Sequence, residues 1–547
     1  MYFDPKAFDF WPAFVSWASM FGSLLLGVAG VVLVLSIILN GVKGFSAFFR
    51  GLKEGFADLF FMSPRRIWAI TNLTIKESVR RKTLMVIVVF GVCFLFAGWF
   101  LSSARDQEVR TTAANSISQT VEVVDAVNVY VSFVLTAISY LILPAVFILA
   151  CWTIPDDIKI RSIHTVVTKP VRRSEIYVGR VLGITIVGTV IIAVMSGVGY
   201  LWLLRALKTE REHNRLVARV PTYGTLSFLD KDGNKADKGI NTGDIWEFRS
   251  YIEGNTKARA IWEFDGITPQ RMNDTLRIES NIQVFRSYRG DLRTGILCQL
   301  TFVNPAKGIR APYPPFPIKE FHLNVLNIRR DELFSDQNKQ VDLFNDLVDN
   351  GKLRVEVACL SGQQYLGMAR PDLFIRMPDA AFATGFFKAV LGTWQMMFML
   401  VVLGVTASCF VKGPVATLLT LTAVVVGKLA RGFLVQLVDQ GEIEKSGGPL
   451  EAVYRIVTHM NVTVPLDDTP WTKVMRGIDH IFKQWLISAK YAIPDFQFYD
   501  LAPYIANGYD VPWNSALLPG LSTTLAYLLP CFLLGYFSLK LRELEAK

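Results

Sequence analysis

The chain has 547 residues, 51% of them hydrophobic and 19% charged, with a formal net charge of +10. It is longer than one ordinary domain and more apolar than a usual soluble chain. The basic excess does not read as a nucleic-acid footprint, because much of it flanks apolar runs, where it orients membrane helices and attracts anionic lipid. The six Cys show no CxxC pair and no zinc-ligand spacing, which argues against a metal framework.

Residues 1–40 carry an uncharged run, Ala13 to Leu39, longer than the roughly 20 residues a spanning helix needs. Asp4, Lys6 and Asp9 replace the basic start of a cleaved signal, so the reading is a retained span with its N-terminus outside. Residues 41–82 form a basic segment. In its second half, at 100° per residue, Ile67, Trp68, Ile75 and Val79 share one face. Arg65, Arg66, Lys76, Glu77 and Arg80 share the other, with Arg81 and Lys82 following. That pattern predicts a helix lying along the cytoplasmic face, or a plain basic anchor before the next span.

Residues 83–204 hold the second to fourth expected spans: Leu84 to Leu101, Asn128 to Trp152 with Pro144 inside it, and Ile184 to Leu204. Gly183, Gly188, Gly197 and Gly199 predict close helix contacts in the last of these. Between the third and fourth lies a short charged loop, residues 153–183. Its Lys and Arg place it in the cytoplasm. Lys169-Pro170 favours an extended entry and a helix start. Ser174 to Leu182 then reads as a helix running into the fourth span, with Arg172, Arg173 and Glu175 displayed at its beginning. Such a charged knob transmits a partner's motion, or simply anchors the loop.

Residues 205–380 change to period two. Ile296, Cys298, Leu300 and Phe302 alternate, as do Leu353, Val355, Val357 and Cys359. Turn signals such as Asp349-Asn350-Gly351 separate the runs. The expectation is a β-sandwich, jelly-roll-like, with one helical interruption near Asp331 to Leu347. Counting spans places it outside the cell, since long domains translocate largely regardless of charge. Cys298 and Cys359 are its two Cys residues, and are either a disulfide or two buried apolar residues. Residues 381–438 hold the fifth and sixth spans, and residues 439–513 a second outer segment, helical near Trp471 to Ala489. The seventh span and a cytoplasmic tail fill residues 514–547. The fold class is therefore a polytopic α-helical membrane protein of about seven spans with an extracytoplasmic all-β domain. Lys428 and Arg431 fall inside the sixth span; they line a path for anionic cargo, or snorkel to the outer interface.

No GxxxxGK[ST], HExxH or GxSxG run occurs, and the five His are scattered. The run Thr165 to Gly183, TVVTKPVRRSEIYVGRVLG, resembles the cytoplasmic loop of ABC-2 type transporter permeases. Pro170, Val171, Arg173, Glu175, Gly179 and Gly183 fit that loop's pattern, and Arg180 stands where the family usually has Lys. The segment Arg65 to Lys82 is similar to the family's connecting helix. The resemblance implies a six-helix core, a dimer of permeases in a bacterial inner membrane, and a separate ATP-binding subunit. That subunit would bind ATP and magnesium and dock on Arg65–Lys82 and on Asp156, Asp157, Lys169, Pro170, Arg172, Arg173, Glu175, Gly179 and Arg180. This chain would then bind no cofactor and be no enzyme itself. The N-terminal span and the β insert depart from the family. In the transporter reading the outer domain contacts cargo or another envelope protein. The rival expectations are a force-transmitting scaffold that works through the outer domain, and a membrane-anchored receptor whose β-rich insert captures a sugar or peptide.

Overall fold

The structure is a computed structural model. It describes residues 8–80, 85–86, 89–93, 126–160, 171–207, 216–236, 238–240, 249–272, 274–287, 295–319, 323–434, 448–461, 466 and 469–542. The chain divides into a helical unit (Ala7–His213, Phe386–Ala506 and Val511–Lys547) and a β unit containing Asn214–Gly385 and Asn507–Asp510.

The helical unit contains α1 (Phe10–Asn40), α2 (Val42–Phe60), α3 (Pro64–Arg80), α4 (Ala126–Lys159) and α5 (Arg173–Ala206). After the β unit come α6 (Phe382–Phe410), α7 (Gly413–Val425), α8 (Pro449–Val457), α9 (Pro470–Ala492) and α10 (Leu518–Arg542). Among the described residues, 6 helical stretches are long and apolar enough to cross a membrane: Phe10–Ile38, Val127–Lys159, Arg173–Ala206, Phe382–Phe410, Gly413–Leu434 and Trp513–Lys540. They mark a membrane protein. The expected second span, Leu84 to Leu101, lies mostly outside the described residues.

The third and fourth spans run longer than their apolar cores predict. At 1.5 Å per residue the 34 residues of α5 measure about 51 Å, against a hydrocarbon layer of about 30 Å. Its charges fall at the two ends, with none from Val181 to Leu204. In α4 the first charge is Asp156, near the C-terminal end. The loop-side ends of both helices therefore extend past the apolar layer and carry charge there.

Small residues set how closely these helices approach. A Cβ on Gly183 would lie 2.5 Å from Thr74 Cβ, and one on Gly199 2.8 Å from Val134 Cγ1. Gly188 similarly meets the Met397 side chain of α6, whereas Gly197 meets nothing within 4 Å. Three of the four expected close approaches are thus real. A further cluster joins Phe147 and Cys151 of α4 to Met396, Met399 and Leu400 of α6, Ala416 of α7, and Phe496 and Tyr499.

Among the described residues the strands of the β unit all pair antiparallel. One sheet has the order Val217–Tyr223, Leu373–Ala381, Thr275–Ser280, Asn324–Arg329. A larger sheet runs Phe316–Ile318, Ile296–Asn304, Leu353–Cys359, Arg259–Phe264, Thr225–Leu229, Lys235–Ala236, with Ile309–Pro312 added on the second of these. Ser250–Glu253, Gln364–Met368 and Gln283–Arg286 form a third. One apolar core joins the three, with Trp262, Phe264, Leu276, Ile278, Phe302 and Val355 inside it. The alternations read from Ile296 and Leu353 are these core faces. The helical interruption expected over Asp331 to Leu347 is instead mostly a hairpin, Leu333–Phe334 against Gln340–Val341. Its loop holds Asn338 at φ 59°, a left-handed position that Asn tolerates. Only Leu343–Leu347 coils, capped by the Asp342 carboxylate, which accepts from Phe344 and Asn345 N–H.

Three buried carboxylates in this unit are held by arginines. Glu279 takes Arg376 at 2.7 Å and Arg219 at 3.3 Å. Asp372 takes Arg249 through two bonds of 2.7 and 2.9 Å, and Glu356 takes Arg310 at 2.7 Å. Burial raises the Asp372 carboxyl above its ordinary range, against the pull of Arg249 and the Ala369 N–H.

Candidate functional site

The residues singled out in the charged loop converge where α2, α3, α4 and α5 meet. The centre of the first cluster is Glu175, fully buried in the first turn of α5. Its Oε2 accepts from the Arg172 N–H at 2.9 Å and its Oε1 from the Ser63 N–H at 2.7 Å. Arg66 Nη2 stands 3.1 Å from Oε1. One carboxylate therefore sits at the amino ends of both α3 and α5, where free N–H groups and helix dipoles favour negative charge.

Arg172 turns back to α2. Its guanidinium donates to the Ala57 carbonyl, lies 3.6 Å from Asp58 Oδ1, and covers the Phe61 ring at 5.9 Å. Ser174 Oγ donates to the Asp58 carbonyl at 2.7 Å, and Tyr536 Oη of α10 donates to Asp58 Oδ2 at 2.8 Å. The Asp58 carbonyl in the last turn of α2 is capped this way, and the Ala57 carbonyl, already bonded by the Phe61 N–H, gains a second donor.

The second cluster surrounds Arg180, which is 3% exposed. Its guanidinium pairs with Glu77 of α3, lies 2.5 Å from Asp157 Oδ2 of α4, and donates to Thr74 Oγ1 at 3.2 Å. One cation thus joins three helices. The approach depends on Gly179 and Gly183, one turn apart on α5: a Cβ on Gly179 would come 2.7 Å from Ile70 Cβ. Thr71 Oγ1 also donates to the Gly179 carbonyl at 3.3 Å.

Glu175, Arg180, Asp157 and Gly179 are therefore turned into the chain, and their charges are matched within it. Asp156 and Arg173 are half-buried beside them. On α3, Arg65, Lys76 and Arg80 are exposed, and Trp68 is 62% exposed. The face that packs on α5 is the adjoining one, Ile70, Thr71, Thr74 and Ser78; of the apolar face read from the sequence, Ile67 and Ile75 are half-buried and Trp68 and Val79 exposed. Small hydroxyl side chains permit the close approach, and no hydrophobic periodicity marks that stripe. Lys169, Pro170 and Arg81 lie outside the described residues.

Sequence reasoning missed Asp58, Ser63 and Thr74 as partners, and placed Glu77 only on a polar face. The Gly179–Gly183 spacing is the one local signal that marked the contact. Lys428 and Arg431 are not brought to this place. Arg431 Nε stands 3.1 Å from Asp495 Oδ2, and its Nη1 donates to the Ile493 carbonyl. The Lys428 carbonyl accepts from Gln497 Nε2 at 3.3 Å. These contacts fasten the Ile493–Gln497 turn to the end of the sixth expected span.

Cys298 and Cys359 face each other on paired strands, both buried as free thiols. Burial raises both, Cys359 to about 11. Among the described residues no group of His, Cys, Asp and Glu is placed to hold a metal ion. Searches against protein families, curated proteins and solved structures find no match for this chain.

Proposed function

We propose that this chain is the membrane subunit of an ABC-2 type transporter in a bacterial inner membrane, driven by a separate ATP-binding subunit. In this reading the ATPase grips the exposed face of α3, with Arg65, Trp68, Lys76 and Arg80, together with the loop that carries Lys169, Pro170 and Arg173. Its closure pushes α3. The Glu175 and Arg180 clusters pass that push to α5 and α4, because buried ion pairs with several hydrogen bonds resist sliding. The observation that carries the reading is this joint: an amphipathic helix locked by buried charge to the loop-side ends of two spans. A seventh span at Leu84 to Leu101, a β-sandwich outside the membrane that meets cargo or an envelope partner, and a dimer of such chains complete the proposal.

The test uses exposed residues, since Arg172 also caps α2. Arg65→Glu with Lys76→Glu should abolish co-purification of a native ATPase while leaving membrane insertion and the size-exclusion profile unchanged. Undiminished ATPase capture by that variant, or no ATPase captured by the wild type, would overturn the reading.

A further inference from the structure

Helix α9 leaves one face uncovered. Trp471, Val474, Ile478, Ile481, Phe482 and Trp485 recur at helical spacing and are 40% to 69% exposed. Thr472, Met475 and Asp479 form the neighbouring stripe and are buried. There α8 packs, its first turn tied to Asp479, whose two oxygens accept from the Leu450 N–H at 3.0 Å and the Glu451 N–H at 2.9 Å. Lys473, Arg476, His480 and Lys483 lie on the side of α9 away from the apolar face. The one acid in the helix, Asp479, is engaged as the α8 cap. The result is an amphipathic helix with a Trp near each end of a wide apolar face and a cationic polar face opposite it.

Connectivity says what this face meets. The candidate span ending at Leu434 and the one beginning at Trp513 must have their linking chain on one side of the membrane. The C-terminal exit of α9 is also fastened to the first of these spans. Asp495 is paired with Arg431, and Gln497 donates to the Lys428 carbonyl. The chain leaving α9 is thus fastened within the last two turns of that span, which holds α9 close to the membrane.

We propose that α9 lies on the bilayer surface, its apolar face in the acyl boundary and its cationic polar face drawn to anionic lipid headgroups. An apolar face of this size in water is unfavourable. Tryptophans at both ends suit the interface, and Lys and Arg on the polar face of such a helix favour anionic lipid, their long stems reaching back toward the headgroups. This inference depends on the membrane spans alone and not on the transport reading.

The test places an environment-sensitive fluorophore on Ile478→Cys, on Trp485→Cys and on His480→Cys. Each is made in the full chain in a Cys93→Ser background and reconstituted in lipid nanodiscs. The expected result is that the probes at 478 and 485 are quenched by doxyl-labelled lipid and shielded from aqueous iodide, and that the probe at 480 shows the reverse. Iodide access at 478 and 485 would mean the face is in water. Protection from both quenchers would mean that protein covers it, a second copy included. Either result overturns the proposal. Lys473→Gln with Arg476→Gln and Lys483→Gln should reduce doxyl quenching in phosphatidylglycerol-containing discs and leave it unchanged in pure phosphatidylcholine. Equal behaviour in the two lipids overturns the headgroup preference.

Discussion

Arg180 is the best single test of the joint. Arg180→Met keeps most of the side chain's length and removes its charge. Asp157 then stays buried with its side chain 10% exposed, while Glu77, at 30%, regains part of its hydration. Removing one partner of a buried pair costs about 3–5 kcal/mol, and the partial exposure of Glu77 argues for about 3 kcal/mol. The helical unit is larger than about 250 residues, for which the shift is below about 2 °C per kcal/mol, so thermal unfolding in mild detergent should fall by about 3–6 °C. Adding Asp157→Asn removes the stranded charge, so the double variant should recover about half the loss, about 1–2 kcal/mol. A single variant as stable as the wild type, or a double variant no better than the single, would show that Arg180 does not hold α3, α4 and α5 together.

The other outcomes concern separate parts of the chain. Gly183→Val places new methyl groups where even a Cβ meets Thr74, and should cost about 1–3 kcal/mol, read by the same unfolding assay. Arg431→Leu should loosen the Ile493–Gln497 turn and raise proteolysis there while leaving any transport activity intact; loss of transport without that loosening would favour the pathway role instead. Burial works against ionisation of Asp342, but N–H donors from Asn345 and Phe344 and the Arg330 guanidinium prevail and hold its carboxyl below the usual range. A lowered carboxylate adds stability above its unfolded value of about 3.9 and loses it as pH falls toward the folded value. Acid unfolding below about pH 4 should therefore be shallower for Asp342→Asn than for wild type by near-ultraviolet circular dichroism. Cys298 and Cys359 should resist iodoacetamide in the native protein and both alkylate after unfolding; a linked peptide in the unreduced digest would contradict free thiols.

Much of the architecture was legible because it rests on local composition. Long runs with little or no charge can only be membrane helices or deep core, so five of the expected spans and the N-terminal one appear where charge is sparse. The period-two runs at Ile296 and Leu353 became core strands for the same reason: one face of each is buried. The helix from Ser174 into the fourth span followed from Lys169-Pro170, which favours a helix start just after it. The hairpin at Leu333 to Val341 was misread because short strands around an Asn turn lack a long period.

The sequence by itself therefore determined where the chain meets lipid, where it becomes a sheet, and that charge collects at one end of α5. Only the tertiary structure decided what that charge does. Arg180 finds Asp157 and Glu77 from distant segments, and Glu175 finds Ser63, since ion-pair partners carry no periodic signal. Tertiary packing likewise chose the Thr and Ser stripe of α3 over its more hydrophobic one, because close approach to Gly179 and Gly183 requires small side chains. It left the apolar face of α9 bare, because Asp479 draws α8 onto the adjoining side.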